Sequence, residues 1–65
     1  MTREDTLRYW AALNDLAMEE HGTETGIAAR RKANQVADDL GDFSEHDWGI
    51  IRNAQRQYRE EAQTA

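Results

Sequence analysis

The chain reads as a small all-α protein, a three-helix bundle, and three observations carry that reading. Proline is absent, β-branched residues are sparse, and Ala, Leu, Arg, Glu and Gln are plentiful, so helix propensity is high nearly throughout. Two of the four glycines, Gly22 and Gly41, fall where the apolar periodicity stops. After each of them comes a hydroxyl side chain able to cap a new helix, Thr23 or Thr25 in the first case and Ser44 in the second. The sequence predicts a single domain, residues 1–65, with helices over about 3–21, 25–40 and 45–62.

Helix 1 is predicted to start after Thr2, with Asp5 three residues on as the reciprocal acid of a capping box. Glu4 and Asp5 also suit the positive end of the helix dipole. The helix is expected to run to His21 and stop at Gly22, which tolerates the left-handed conformation. At about 100° per residue, Glu4, Asp5, Arg8, Asp15 and Glu19 gather on a polar face. Leu7, Tyr9, Trp10, Leu13, Leu16, Ala17 and Met18 spread across the rest. That arc is wider than one core requires. Helix 1 is therefore either central in the fold or in contact with a second chain. At 65 residues the gain from burial and the cost in conformational entropy nearly cancel. Both arguments lead to the expectation of a self-associating homodimer, with Tyr9, Trp10, Leu13 and Leu16 at its seam.

Helix 2 carries a narrow stripe of mostly small residues, Ala29, Ala33, Val36, Ala37 and Leu40, a spacing that lets two helix backbones approach closely. Gly26 is expected to weaken its first turn. Arg30, Arg31 and Lys32 form a basic cluster answered by Asp38 and Asp39, and the pattern reads as a solvated face. Helix 3 has the clearest start. Ser44 is the cap, Asp47 the acid of a capping box, and Phe43 with Trp48 occupy the two positions of a hydrophobic staple. Ile50, Ile51, Ala54, Tyr58 and Ala62 make its predicted buried arc. Arg52, Arg56 and Arg59 line the flank beside Trp48.

Function is bounded mainly by what the chain lacks. There is no cysteine, so disulfides, thiolate metal sites and thiol nucleophiles are excluded. Asp42, Glu45, His46 and Asp47 cluster around one histidine, but no second histidine stands at helical spacing to complete a zinc pair. No metal and no cofactor is expected. The adjacent acids Glu19-Glu20, Asp38-Asp39 and Glu60-Glu61 point about 100° apart on a helix, which suits solvated surface better than a catalytic dyad. The one serine is committed to a cap. An enzyme is not expected. The opening Thr2-Arg3-Glu4-Asp5 lacks the pattern of a secretory signal, and no apolar run approaches the ~20 residues of a membrane span. The expectation is a cytoplasmic protein without a membrane role.

The net charge of −5 argues against general affinity for nucleic acid and suits docking on a basic surface. The segment from Val36 to Gly41, followed by Ser44 and a further helix, loosely resembles a helix-turn-helix. In that alternative, helix 3 would read DNA with Arg52, Arg56 and Arg59 alongside Asn53, Gln55 and Gln57. Glu45 and Asp47 at its start would then face phosphates, and the basic footprint of such a module is missing. Tryptophan and arginine are the types most enriched at protein-binding hot spots. The first expectation is thus a small regulator or inhibitor that binds a larger protein through Trp48, Arg52, Arg56 and Arg59. A modulator encoded by a phage or plasmid is the class of chain expected. A structural or assembly subunit is the further alternative.

Overall fold

A computed structural model describes the backbone of residues 1–64 and the side chains of residues 1–61. It is the three-helix bundle the sequence predicts, with α1 at Arg3–Glu19, α2 at Glu24–Leu40 and α3 at Glu45–Thr64. Each helix begins at its hydroxyl cap. The Asp5 backbone N–H donates to the Thr2 hydroxyl at 3.1 Å, and the Thr2 N–H donates back to the Asp5 carboxylate at 3.3 Å. The Gly26 N–H donates to the Thr23 hydroxyl, which fixes Thr23 rather than Thr25 as the cap of α2. At α3 the Asp47 N–H donates to the Ser44 hydroxyl at 3.1 Å, and the Ser44 N–H donates to the Asp47 carboxylate at 2.9 Å. Both predicted capping boxes are formed.

The first connection differs from expectation by a few residues. α1 ends at Glu19, two residues before His21, and α2 starts at Glu24. The cause is the Glu20 carbonyl. It accepts both the Thr23 N–H at 3.0 Å and the Thr23 hydroxyl at 2.6 Å, so it closes a turn instead of continuing α1. Gly22 supplies the positive φ of that turn, +85°. At the other end of the chain α3 continues past Ala62 to Thr64. The expected burial of Ala62 lies outside the described side chains.

Contacts at both ends set the helix directions. Arg3 at the start of α1 reaches Asp47 at the start of α3, and Glu19 at the end of α1 meets Tyr58 late in α3. Thus α3 runs parallel to α1, while α2 runs antiparallel between them in sequence. α2 and α3 each pack on α1, and among the described residues their backbones do not approach one another. α1 is the central helix, and two neighbours account for much of its wide apolar arc.

The two interfaces of α1 are built differently. Against α3 and the second connection lie Leu7, Ala11 and Ile51, at 0%, 1% and 2% exposure, surrounded by Trp10, Leu40, Phe43, Ile50 and Ala54. Against α2 the buried residues are small: Ala17, Ala29, Ala33 and Val36, together with Gly26. Gly26 has a role beyond weakening the first turn. Its lack of a side chain is what lets α2 pass over the end of α1, because a Cβ there would lie 2.7 Å from the Glu20 carbonyl carbon and 3.4 Å from the Ala17 oxygen. Both neighbours are backbone, so nothing flexible can yield.

Arg3 fastens the second connection. Its guanidinium donates to the Leu40 carbonyl at 2.9 Å and the Asp42 carbonyl at 3.1 Å, and grips both Asp47 oxygens at 3.3 and 2.9 Å. A cation thereby satisfies the carboxyl end of α2 while a planar fork holds a carboxylate bidentately. Asp47 is nearly covered, at 6% exposure. The Arg3 hydrogen bonds, helped by the Ser44 N–H, hold its carboxyl well below the usual carboxylate range.

Two predictions follow from this geometry. Gly26→Ala, although it improves local helix propensity, should cost about 2–4 kcal/mol of stability in urea unfolding, because backbone must move to admit the methyl group. Asp47 binds its proton more weakly folded than unfolded, so its contribution is present above the ordinary aspartate value of 3.8 and is lost as pH falls below it. Wild-type melting temperature should therefore drop as the solution is acidified below about pH 4, and Asp47→Asn should flatten that part of the profile. An unchanged acid limb in Asp47→Asn would show that the Arg3 grip contributes little.

Candidate contact surface

The residues singled out from the sequence divide between two separate places. Phe43, Trp48 and Trp10 come together as a three-ring cluster. The centroids of Trp10 and Phe43, and of Phe43 and Trp48, are 5.1 Å apart, with interplanar angles of 78° and 75°. Trp10 and Trp48 meet at 6.3 Å and 77°. All three pairs are edge-to-face, the arrangement that sets a positive ring edge against a negative ring face. The staple is formed as predicted, with Trp10 added to it. Trp48 nonetheless leaves 42% of its surface exposed. Its ring is held on one side and bare on the other.

Arg52, Arg56 and Arg59 are all exposed on α3. Arg52 and Arg56 make no hydrogen bond or ion pair among the described side chains. Arg59 sits near Asp15 and lines a shallow groove with Asp15, Met18, Glu19 and Tyr58. Burial pushes the Asp15 carboxyl up from its ordinary value, with Arg59 pulling the other way and Glu19 adding to the rise. The Tyr58 hydroxyl donates to Glu19 at 2.7 Å, which raises the phenol above its usual value. This bond ties the far half of α3 to the end of α1. Arg56 belongs to a different groove, of about 330 Å³, with Glu4, Arg8, Ile50 and Asn53 among its walls. The predicted flank therefore straddles α3: Arg52 and Arg59 lie close to the Trp48 line, and Arg56 turns away from it.

Of the four residues expected at a self-association seam, Tyr9 is exposed, while Leu13 and Leu16 are half-buried. Trp10 does not share their surface, because its ring belongs to the cluster with Phe43 and Trp48. The acids weighed as metal ligands are separated by their structural duties. Asp47 is taken by Arg3 and Ser44, and His46 and Glu45 are exposed. Among the described residues no group of three acidic, histidine or cysteine side chains could hold a metal ion. No described helix is long and apolar enough to cross a membrane.

Three features had no signal strong enough to be read beforehand. Arg3 looks like any exposed arginine, and its partners lie 37 to 44 residues away. Met18 and Ile27 are large apolar residues left 69% and 49% exposed. Met18 falls within the predicted apolar arc, and Ile27 stands off the stripe of its helix without marking itself as a contact. Comparison with family models, curated proteins and solved structures finds no match for this chain.

The cluster predicts unequal costs for its two tryptophans. Trp10→Ala should lose about 3–5 kcal/mol, the range for deleting a well-packed aromatic. Trp48→Ala, bare on one side, should lose only about 1–1.5 kcal/mol. Urea unfolding followed by far-UV circular dichroism measures both, and equal losses would mean that Trp48 is as much a core residue as Trp10.

Proposed function

We propose that this chain is a small acidic interaction protein, a cytoplasmic regulator or inhibitor that carries no chemistry of its own and binds a larger protein through Trp48 and the neighbouring arginines. One observation carries the reading. Trp48 exposes two-fifths of its surface while two perpendicular rings fix its orientation. A large aromatic side chain that is already immobilised loses little further entropy on binding, and tryptophan and arginine are among the residue types most enriched at hot spots. Arg52 and Arg56, both exposed, are available to a partner's acids. The sequence supports the absence of catalysis, since it holds no cysteine and its one serine serves as a cap.

Self-association belongs to the same proposal. The two neighbours of α1 already use much of its apolar arc, so the surface left for a second copy is the strip of Tyr9, Leu13 and Leu16. Sedimentation that finds only monomer at micromolar concentration would remove it.

A nucleic-acid reading draws some support from Arg52, Asn53 and Arg56, which stand exposed on α3. Asp47 is less of an obstacle to it than the sequence implied, because Arg3 covers that carboxylate. Against it stand the acidic balance and the separation of the α2 and α3 backbones among the described residues, the two helices such a module would hold together. A gel shift at low salt decides between the readings, since phosphate contacts strengthen steeply as salt falls.

For the favoured reading, the test is capture of the partner from the native host with wild-type protein, Trp48→Ala and Arg52→Ala. Loss of about 2 kcal/mol or more of binding, roughly thirtyfold, is expected for Trp48→Ala with helix content unchanged. If both variants capture the partner as well as wild type, α3 is not the contact surface.

A further inference from the structure

α3 is attached to α1 by different means along its length. In its first half Ile51 is buried, Ile50 and Ala54 pack against the same core, and Asp47 is gripped by Arg3. From Arg56 to Glu61 every residue except Tyr58 is exposed. Tyr58 stands about two turns beyond Ile51, so it shares the face toward α1. Its ring is half-buried, and its hydroxyl donates to the Glu19 carboxylate at 2.7 Å.

The surface that this second half meets is polar. Asp15 of α1 lines both shallow grooves there, with Arg8, Tyr58 and Glu61 in one and Glu19, Tyr58 and Arg59 in the other. Asp15 is half-buried, a poor place for an ionised carboxyl, and Arg59 offsets part of that cost. Docking of the second half therefore covers a charge, where docking of the first half covers Ile51. Among the described side chains, one ring and one hydrogen bond stand against that cost.

We infer that the stretch of α3 from Arg56 to Glu61 is a strap that undocks from α1 while the first half of α3 stays in place, and that the Tyr58–Glu19 hydrogen bond is its latch. Local opening of this kind is set by the few contacts of the segment and not by the stability of the whole fold. The latch lies at an exposed edge, where water competes for both partners. Opening returns Asp15 to water and parts it from Arg59. Arg52 sits on the fixed half of α3, and Arg56 and Arg59 sit on the strap, so one helix carries fixed and movable arginines. The inference holds whatever partner those arginines meet.

The test is native-state amide hydrogen exchange, read residue by residue by NMR on the intact chain. The variants are Tyr58→Phe, which keeps the ring and removes the donor, Glu19→Ala, Glu19→Gln and the Tyr58→Phe/Glu19→Ala double variant. Tyr58→Phe is expected to speed exchange of the amides of residues 58–61 about fivefold, and to leave those of residues 48–54 within about twofold of wild type. Glu19→Ala should match it, and Glu19→Gln, which keeps an acceptor oxygen, should stay close to wild type. The double variant should exchange no faster than either single one, because the same bond is lost in all three. The proposal is overturned if amides 58–61 are unprotected in wild type, or if Tyr58→Phe leaves them unchanged. It is also overturned if both halves of α3 lose protection together, which would make the helix one unit. Multiplied effects in the double variant would equally overturn it, since Tyr58 and Glu19 would then act independently.

Discussion

The guanidinium of Arg3 joins all three helices, and much of the geometry depends on it. It projects from the first residue of α1, donates to the last carbonyl of α2 and grips the first turn of α3. The backbones of the outer helices do not approach one another among the described residues, so beside this grip the second connection is held mainly by the packing of Leu40 and Phe43 in the core cluster. Asp47 completes the arrangement by serving two donors at once, the Arg3 fork and the Ser44 N–H. A carboxylate this well supplied with donors is comfortable in its ionised form although little of it is exposed. Its fixed position sets the rotation of α3 about its own axis. That rotation places the next residue, Trp48, half in the aromatic cluster and half in solvent.

The central helix meets its neighbours in two different ways. Toward α2 the contact is made by alanines and a glycine, so the two backbones lie close and few side-chain rotamers are frozen. Toward α3 and the second connection the contact is made by Leu7, Ile51 and aromatic rings, which bury more area per residue and interlock by shape. A chain of this length has no room for a second layer of core. The tight interface and the bulky one are both needed, and α1 is the element on which both are built.

Local patterns were legible in the sequence, and distant ones were not. Ser44, Asp47, Phe43 and Trp48 announced a cap, a box and a staple because each device is defined by offsets of three to five residues. Thr2 with Asp5 was readable for the same reason. The tertiary role of Gly26 is not legible locally, because propensity scales describe a helix in isolation, whereas that role is set by the carbonyl of Glu20 on another element. The early end of α1 has the same origin, since that carbonyl serves Thr23 instead of the next helical turn. Arg3 could not have been assigned at all: nothing in its neighbourhood distinguishes it from Arg8, whose partner Glu4 is one turn away. Trp10 was grouped correctly with the apolar arc, but only the fold shows that it turns toward Phe43 while Tyr9 turns elsewhere.

That the backbones of α2 and α3 do not approach one another among the described residues has a thermodynamic corollary. Away from the cluster around Leu40, substitutions on one outer helix sense those on the other mainly through α1, so their free-energy effects should sum with little coupling. Pairs that include α1, such as Trp10 with Trp48 or Ala17 with Gly26, are in direct contact and should not be additive. The two outer surfaces are thus close to independent variables. One could be remodelled for a new partner while the other retained its packing, with α1 the only helix on which both sets of changes must agree.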